Sequence, residues 1–124
     1  QLTATLAKVL LSVPGFEEYD LSSVKVCYFA GEVLPREVAD IFVNDLNIRV
    51  INVIGSSETA TMVVWDSAFD NDTDPSDFRK LPFTDVRVLG MGDKEVAEGE
   101  VGELCIFTDA VITDYFGNPD TVFQ

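Results

Sequence analysis

The sequence predicts an α/β fold, in which a βαβ unit with two parallel strands is followed by a β-rich, barrel-like segment. Two short apolar runs, 24–30 and 48–54, flank a segment with helical spacing, which is the pattern of a parallel βαβ unit. The final third alternates like strands. At 124 residues we expect one domain in two parts, an α/β part over 1–83 and a truncated β-rich part over 84–124.

The chain begins with a pattern typical of an amphipathic helix. The spacing predicts one buried face, formed by Leu2, Leu6, Val9, Leu10 and Val13. Pro14 and Gly15 end this pattern, because neither residue favours a helix interior. The run from Val24 to Ala30 follows, and its β-branched and aromatic residues favour the first strand.

A second helix is predicted between the two apolar runs. Pro35 is expected at its first position, where a missing N–H costs nothing. The face expected to pack on the sheet comprises Val38, Ile41, Phe42 and Leu46, and Asn47 is expected to end the helix. The second strand, Ile48 to Ile54, is almost wholly apolar. A right-handed crossover should therefore bring two parallel strands together, buried on both faces.

An acidic segment, residues 66–77, follows the α/β part and shows no apolar periodicity. Asp70, Asp72 and Asp74 have the opening spacing of a calcium-binding loop. Pro75 and Leu81 stand where that loop requires glycine and glutamate, so we expect a solvated surface loop instead. Beyond it, strands are predicted at 84–89 and 101–108, separated by glycine-containing turn residues at 90–94.

The charge balance excludes several classes of function. The chain contains 22 acidic and 8 basic residues, and the net charge of −14 excludes electrostatic binding to nucleic acid or an anionic membrane. No apolar stretch reaches the roughly 18 residues that span a bilayer. The chain has no histidine, which excludes Ser-His and Cys-His nucleophile pairs. Cys27 and Cys105 lie in apolar runs, which predicts buried free thiols and a cytoplasmic location.

The segment from Asn52 to Ala60 has the composition of a phosphate-binding turn. A buried strand ends at Gly55, and two serines, a glutamate and a threonine follow. Glycine permits close approach to a phosphate, hydroxyls and N–H groups can donate to its oxygens, and Glu58 could hold Mg²⁺. On composition alone an ordinary turn or helix cap remains an open alternative.

Four segments resemble motifs of the adenylate-forming superfamily, which includes acyl- and aryl-CoA ligases, peptide-synthetase adenylation domains and luciferases. Residues 29–34, Phe-Ala-Gly-Glu-Val-Leu, resemble the family's Gly-Gly-Glu-x-Leu turn. Residues 52–58, Asn-Val-Ile-Gly-Ser-Ser-Glu, resemble Asn-x-Tyr-Gly-Pro-Thr-Glu in peptide-synthetase domains and Gly-Ile-Gly-Ser-Thr-Glu in aryl-CoA ligases. Residues 99–106 and 115–121 resemble the Gly-Glu-x-Gly-Glu-Leu strand and the Gly-Tyr-x-x-x-Pro-Glu-x-Thr segment. The order and approximate spacing also match.

The resemblance implies an ATP site. The residues implied to bind the nucleotide are Ala30, Gly31, Glu32, Asn52, Ile54, Gly55, Ser56 and Ser57. Within this set Asn52 would contact the adenine edge and Ile54 would pack on its face. Ser57 would meet the α-phosphate, and Glu58 would bind the Mg²⁺ that bridges the ATP phosphates, which makes these two the implied catalytic residues.

The resemblance also implies a carboxylic-acid substrate and a thiol acceptor. The positions that would line the acid pocket are Tyr28, Ala30, Val53, Thr61 and Met62. Their apolar character fits an aromatic or aliphatic acid, possibly an amino acid, better than a charged one. Core packing is the alternative interpretation of Tyr28, Val53 and Met62. The acceptor would be coenzyme A or the phosphopantetheine of a carrier protein.

Other parts of the family's machinery do not occur in this sequence. It contains neither a Ser/Thr/Gly-rich loop ending in Pro-Lys-Gly nor a Thr-Gly-Asp motif, and no lysine lies in a matching context. There is no initiator methionine, so we expect an internal fragment of the large domain that is inactive alone. The alternative is a non-catalytic acidic interaction module that retains the fold. The net charge favours that alternative, as does the departure from the family's pattern at the adenine wall, where Ile54 replaces the usual aromatic residue.

Overall fold

The structure, a computed structural model, describes residues 1–82 and 84–117. It has mixed helices and strands, with one four-stranded sheet in the order β1-β2-β3-β4 and a two-stranded sheet of β5 and β6, so the predicted α/β class is confirmed. The described residues form no closed barrel. The final part of the fourth motif, 118–121, lies outside the described residues. None of the described helices is long and apolar enough to cross a membrane.

The element bounds follow the predicted order. The helices are α1 (Ala4–Leu11) and α2 (Arg36–Asp40), with a short 3₁₀ turn at Phe16–Glu18. The strands are β1 (Val26–Ala30), β2 (Arg49–Ser56), β3 (Ala60–Asp66), β4 (Arg79–Lys80), β5 (Asp85–Leu89) and β6 (Glu103–Phe107). β1 and β2 are parallel, as predicted, with Val26 opposite Arg49 and Ala30 opposite Val53.

The chain divides into two compact units. The first comprises residues 1–54 and 63–79, and the second comprises 55–62 and the segment from 80 onward. In the second unit β5 and β6 pair in antiparallel fashion, with Asp85 opposite Phe107. The division between residues 83 and 84 stays a prediction, and Phe83 itself lies outside the described residues.

The buried face of α1 was predicted wrongly. Leu6, Val9, Leu10 and Val13 are exposed, whereas Ala4 and Ala7 are buried. Two apolar stripes occur on this helix, because Ala4, Ala7 and Leu11 also recur at helical spacing. The alanine stripe faces the core, since small side chains allow a helix to approach its neighbours closely. Thr3 begins the helix, because its side-chain oxygen accepts the N–H of Leu6 at 3.2 Å.

The second helix ends as predicted but is less regular than its sequence pattern. Pro35 is the N-cap, with extended backbone, and lies just before the first helical position. After Asp40 the helix continues as a π-helical turn over Ile41–Asp45. Asn47 then adopts φ 54°, the left-handed conformation that asparagine tolerates at helix ends. Of the predicted buried face, Phe42 and Val38 are buried, and Ile41 and Leu46 are half-buried.

The core of the first unit lies between α1, α2 and the sheet. Trp65, Val50 and Phe29 have at most 1% of their surface exposed. The rings of Phe29 and Phe42 meet edge to face, with centroids 5.3 Å apart, a favoured aromatic geometry. Trp65 is anchored at its polar end as well, because its indole N–H donates to the carbonyl of Asp70 at 2.9 Å.

The acidic segment is more ordered than a solvated loop, so that prediction was only partly right. Asp72 and Asp74 are exposed, but Asp66 and Pro75 are buried. Asp66 accepts a bidentate pair of hydrogen bonds from the guanidinium of Arg49, at 2.9 and 2.5 Å. This pairing and the hydrogen bond donated by the Ala68 N–H hold the pKa of Asp66 below its ordinary value. Within the described ranges no group of three His, Cys, Asp or Glu residues could hold a metal.

The cysteine prediction holds in part. Cys27 and Cys105 are free thiols, but only Cys27 is buried, and Cys105 on β6 is half-buried. Burial raises the pKa of the Cys27 thiol, which leaves it protonated at neutral pH.

Replacing Arg49 should destabilise the first unit. Arg49→Met leaves the buried Asp66 carboxylate without the guanidinium that pairs with it, and we expect the free energy of local opening to fall at pH 7. Because the folded pKa of Asp66 is lowered, the stabilisation is present above its ordinary pKa of 3.8 and is lost as pH falls through the lowered value. The measurement is hydrogen exchange of peptides covering residues 49–66 in the full-length protein.

Arg87→Met is the matched control for this prediction. Arg87 pairs with Asp85, but both side chains are nearly half exposed, and such exposed pairs contribute little to stability. Equal losses of protection in the two variants would contradict the importance assigned to burial of Asp66.

Candidate functional site

Three of the predicted nucleotide-binding residues lie at the carboxyl end of β1 or just after it. One of them, Glu32, binds the first turn of α1. Glu32 follows Gly31, which adopts φ 85°. Its carboxylate oxygen Oε2 accepts hydrogen bonds from the N–H and the hydroxyl of Thr5, both at 2.8 Å. These bonds lower the pKa of Glu32 and place a negative charge at the first turn of α1, where the helix dipole favours it. The predicted role of Glu32 in nucleotide binding stays a prediction.

Asn52 lies deep in the sheet rather than at its surface. It stands opposite Phe29 in the β1–β2 ladder, and 1% of its surface is exposed. Its Nδ2 donates to the carbonyl of Pro75 at 3.0 Å, which ties β2 to the acidic segment. Its Oδ1 is buried without a hydrogen-bond partner among the described residues, an arrangement that costs about 1–3 kcal/mol. The implied contact of Asn52 with an adenine edge is therefore still a prediction.

A tight turn at residues 57–59 joins β2 to β3. A Cβ atom added at Gly55 would lie 2.1 Å from the carbonyl oxygen of Ala60, which no real contact allows. Ala60 adopts φ 58°, the left-handed conformation that follows a type I turn in short hairpin loops. Glycine at position 55 is thus required by the strand that returns beside it. Close approach to a phosphate and an ordinary turn were both predicted uses of this glycine.

The hydroxyl of Ser56 contacts two residues of the turn. Its Oγ accepts the N–H of Glu58 at 3.2 Å and lies 3.2 Å from the hydroxyl of Thr59. Ser57 is exposed and Glu58 half-buried. The turn therefore presents a hydroxyl and a carboxylate on adjacent residues, the two groups that the sequence assigns to a phosphate and to Mg²⁺.

Glu58 has two partners from a segment far along the chain. The N–H of Ile112 donates to the backbone carbonyl of Glu58 at 2.9 Å. The phenol of Tyr115 donates to Oε1 of the Glu58 carboxylate. The Tyr115 phenol and, after it, the Ser56 hydroxyl hold the pKa of Glu58 below its ordinary value, while the same contact raises the pKa of Tyr115. Glu58 is thus an anion and Tyr115 a neutral donor at physiological pH.

A single carboxylate of this kind suits a magnesium ion that is shared with a nucleotide. Mg²⁺ usually retains waters and binds through one or two carboxylates plus substrate phosphates, rather than in a cage made wholly of protein. The Tyr115 hydrogen bond occupies Oε1, and Oε2 remains a possible ligand. The Glu58 carboxylate therefore fits this ion by charge and donor type.

The residues predicted to line an acid pocket differ in exposure. Val53 has 5% and Met62 has 3% of its surface exposed, so both are buried. Tyr28, Ala30 and Thr61 are half-buried, and Ile54 is 39% exposed. The assignment of these residues to substrate stays a prediction.

Nearly the whole chain is similar in sequence to known proteins. A family model described as AMP-binding enzyme matches residues 1–116. The chain is 31% identical over 123 residues to a D-alanine–D-alanyl carrier protein ligase from Bacillus velezensis, covering 94% of this chain and 24% of that protein. It is 30% identical over 122 residues to a mitochondrial medium-chain acyl-CoA ligase from Macaca fascicularis, covering 94% of this chain and 20% of that protein.

The fold is also found in solved structures. The anthranilate CoA ligase AuaEII, solved with anthranoyl-AMP, superposes with a TM-score of 0.85 at 21% identity. The alignment covers 96% of this chain and 23% of that one. The chain thus spans about a fifth to a quarter of the length of the proteins it matches.

Substitution of Gly55 should disrupt the turn. Gly55→Ala places a methyl group against the Ala60 carbonyl, and relief requires the two strands to separate, so we expect a loss of about 3 kcal/mol or more. Gly92→Ala is the control, because Gly92 has φ 75° but no atom within 4 Å of its added Cβ, and backbone strain alone costs about 1–2 kcal/mol. The thermal midpoints of the full-length variants test this. A Gly55→Ala midpoint equal to that of Gly92→Ala would contradict the steric argument.

Proposed function

The chain belongs to the family of AMP-binding enzymes, and on that premise we propose that it is part of the large domain of an ATP-dependent, carboxylate-activating ligase. In the proposed reaction a carboxylate oxygen attacks the α-phosphorus of ATP and pyrophosphate leaves, giving an acyl-adenylate. A thiol then attacks the acyl carbon and releases AMP. The coverage of about a fifth to a quarter of each relative supports the view that the remaining parts lie elsewhere in a longer protein.

The observation on which this proposal rests is the turn after β2, which presents Ser57 and the ionised Glu58 side by side. The carboxyl ends of parallel strands are where open α/β sheets bind ligands. Mg²⁺ held by Glu58 would neutralise charge on the ATP phosphates. The Ser57 hydroxyl would donate to the α-phosphate and stabilise the charge that develops there. Both groups would also orient the phosphate for in-line attack.

The substrate acid and the thiol acceptor are proposed only by class. One relative is a D-alanine carrier protein ligase and another is a medium-chain acyl-CoA ligase, so an amino acid and an aliphatic acid are both consistent with this family. An aromatic acid is consistent with the anthranilate CoA ligase fold match. Coenzyme A and a carrier-protein phosphopantetheine are the two acceptors, and we propose that the ligase acts in the cytoplasm.

Neutralising Glu58 should abolish most of the proposed activity. The full-length protein is expected to catalyse carboxylate-dependent exchange of pyrophosphate into ATP. Glu58→Gln preserves the shape of the side chain but removes the metal-binding charge, and we expect exchange to fall by about 100- to 1,000-fold. Glu98→Gln is the matched control, because Glu98 is exposed on a loop of the second unit.

The outcomes of this experiment separate the two functions considered. Undiminished exchange in Glu58→Gln would refute the role of Glu58 at the metal. A folded wild-type protein without exchange for any acid tested would favour the non-catalytic acidic interaction module.

The 124-residue chain by itself should bind ATP poorly. Its net charge of −14 repels MgATP, and the basic groups that would offset this charge are few. We expect a Kd no tighter than about 1 mM by calorimetry, with weaker repulsion as added salt screens the charges. Circular dichroism would verify that the chain is folded. A micromolar Kd would contradict the view that other parts of the protein supply most of the binding.

A further inference from the structure

We propose that Tyr115 is a positioning residue, whose phenol fixes the Glu58 carboxylate in the orientation that accepts Mg²⁺ with ATP. This inference rests on the proposed function and adds a residue to it. The evidence is the hydrogen bond from the Tyr115 hydroxyl to Oε1 of Glu58, a contact between residues 57 positions apart in the sequence.

Glu58 needs such a partner because of where it lies. The turn at residues 57–59 is short, and a glutamate side chain on a surface turn has three rotatable bonds that solvent does not restrict. The Ser56 hydroxyl accepts the Glu58 backbone N–H at 3.2 Å and has a smaller effect on the pKa of the carboxylate than Tyr115 has. The Tyr115 phenol donates directly to Oε1 and has the larger effect on the carboxylate pKa, so this phenol limits the carboxylate to few orientations.

Two hydrogen bonds join residues 112–115 to Glu58, and together they fix the geometry of the contact. Ile112 N–H binds the Glu58 carbonyl at 2.9 Å, and Tyr115, three residues later, binds the side chain. The backbone bond sets the distance between the two segments, and the phenol then reaches a defined oxygen. Both contacts lie within the second compact unit.

The hydrogen bond orients the carboxylate and leaves it able to bind a cation. A carboxylate has two oxygens with about four acceptor directions, and one donor on Oε1 leaves Oε2 available. Hydrogen-bonded partners of metal-binding carboxylates typically change metal affinity by about 10- to 100-fold when they are removed. Tyr115 stays neutral and donates, so it adds no charge that would compete with the ion.

The test compares ATP binding with and without the metal in the full-length protein. Tyr115→Phe removes only the hydroxyl, and we expect the Kd for ATP measured by calorimetry in Mg²⁺ to rise about 10-fold. The Kd measured in EDTA should not change. In pyrophosphate exchange, the Mg²⁺ concentration for half-maximal rate should rise similarly, while saturating Mg²⁺ restores most of the rate. Tyr19→Phe, at an exposed tyrosine, is the control.

The double variant separates positioning from a structural role. In the Glu58→Gln background Tyr115→Phe should cause no further loss of Mg²⁺-dependent binding, because the carboxylate that it positions is gone. An equal loss in both backgrounds, or an equal loss in Mg²⁺ and EDTA, would overturn the positioning role, as would an unchanged Kd in Tyr115→Phe.

Failure of this inference is distinguishable from failure of the proposed function. If Glu58→Gln weakens Mg²⁺-dependent binding and Tyr115→Phe does not, only the positioning role fails. If Glu58→Gln has no effect on binding or exchange, the assignment of the metal to Glu58 fails, and the role of Tyr115 fails with it.

Discussion

The close approach of Gly55 to the carbonyl of Ala60 is the constraint on which the candidate site depends. It allows β2 to reverse into β3 within a few residues, and the reversal is what brings a hydroxyl and a carboxylate to adjacent positions. Ala60 accepts a left-handed backbone at the same point, so strain from a non-glycine residue is concentrated where the site lies. Strained backbone is common at binding turns, because the surrounding sheet can hold a conformation that an isolated loop would not keep.

Sequence patterns were reliable where local chemistry decides the structure. Composition identified β1 and β2 as parallel strands, and Asn47 marked the end of the second helix. The predicted burial of both strands on both faces was only partly right, because Val26 and Ile54 are exposed. Periodicity failed for α1, because two apolar stripes share that helix and only the packed fold selects the alanine stripe of Ala4 and Ala7. The spacing of apolar residues identifies an amphipathic helix, but where two apolar stripes are present it does not identify the stripe that faces the core.

Some features of the candidate site were likewise predictable from the sequence, and others depend on the fold. The glycine, hydroxyls and carboxylate of residues 55–58 were recognisable because they are contiguous in the sequence. The partner of Glu58 was not, since Tyr115 has no periodic or spacing relation to it and is related only through the fold. Glu32 and Asn52 illustrate the converse: their polar chemistry suggested a ligand, yet the fold uses the first at the start of α1 and the second to hold Pro75.

The exposed apolar stripe of α1 affects how the chain behaves as a solute. Leu6, Val9 and Val13 each have more than two-fifths of their surface exposed on a molecule of net charge −14. At low ionic strength like-charge repulsion keeps copies of the chain apart, whereas at 0.15 M salt this repulsion extends only about 8 Å. Attraction between apolar stripes is not screened in this way. Colloidal stability of the separate polypeptide should therefore decrease as salt is added, the reverse of ordinary salting-in.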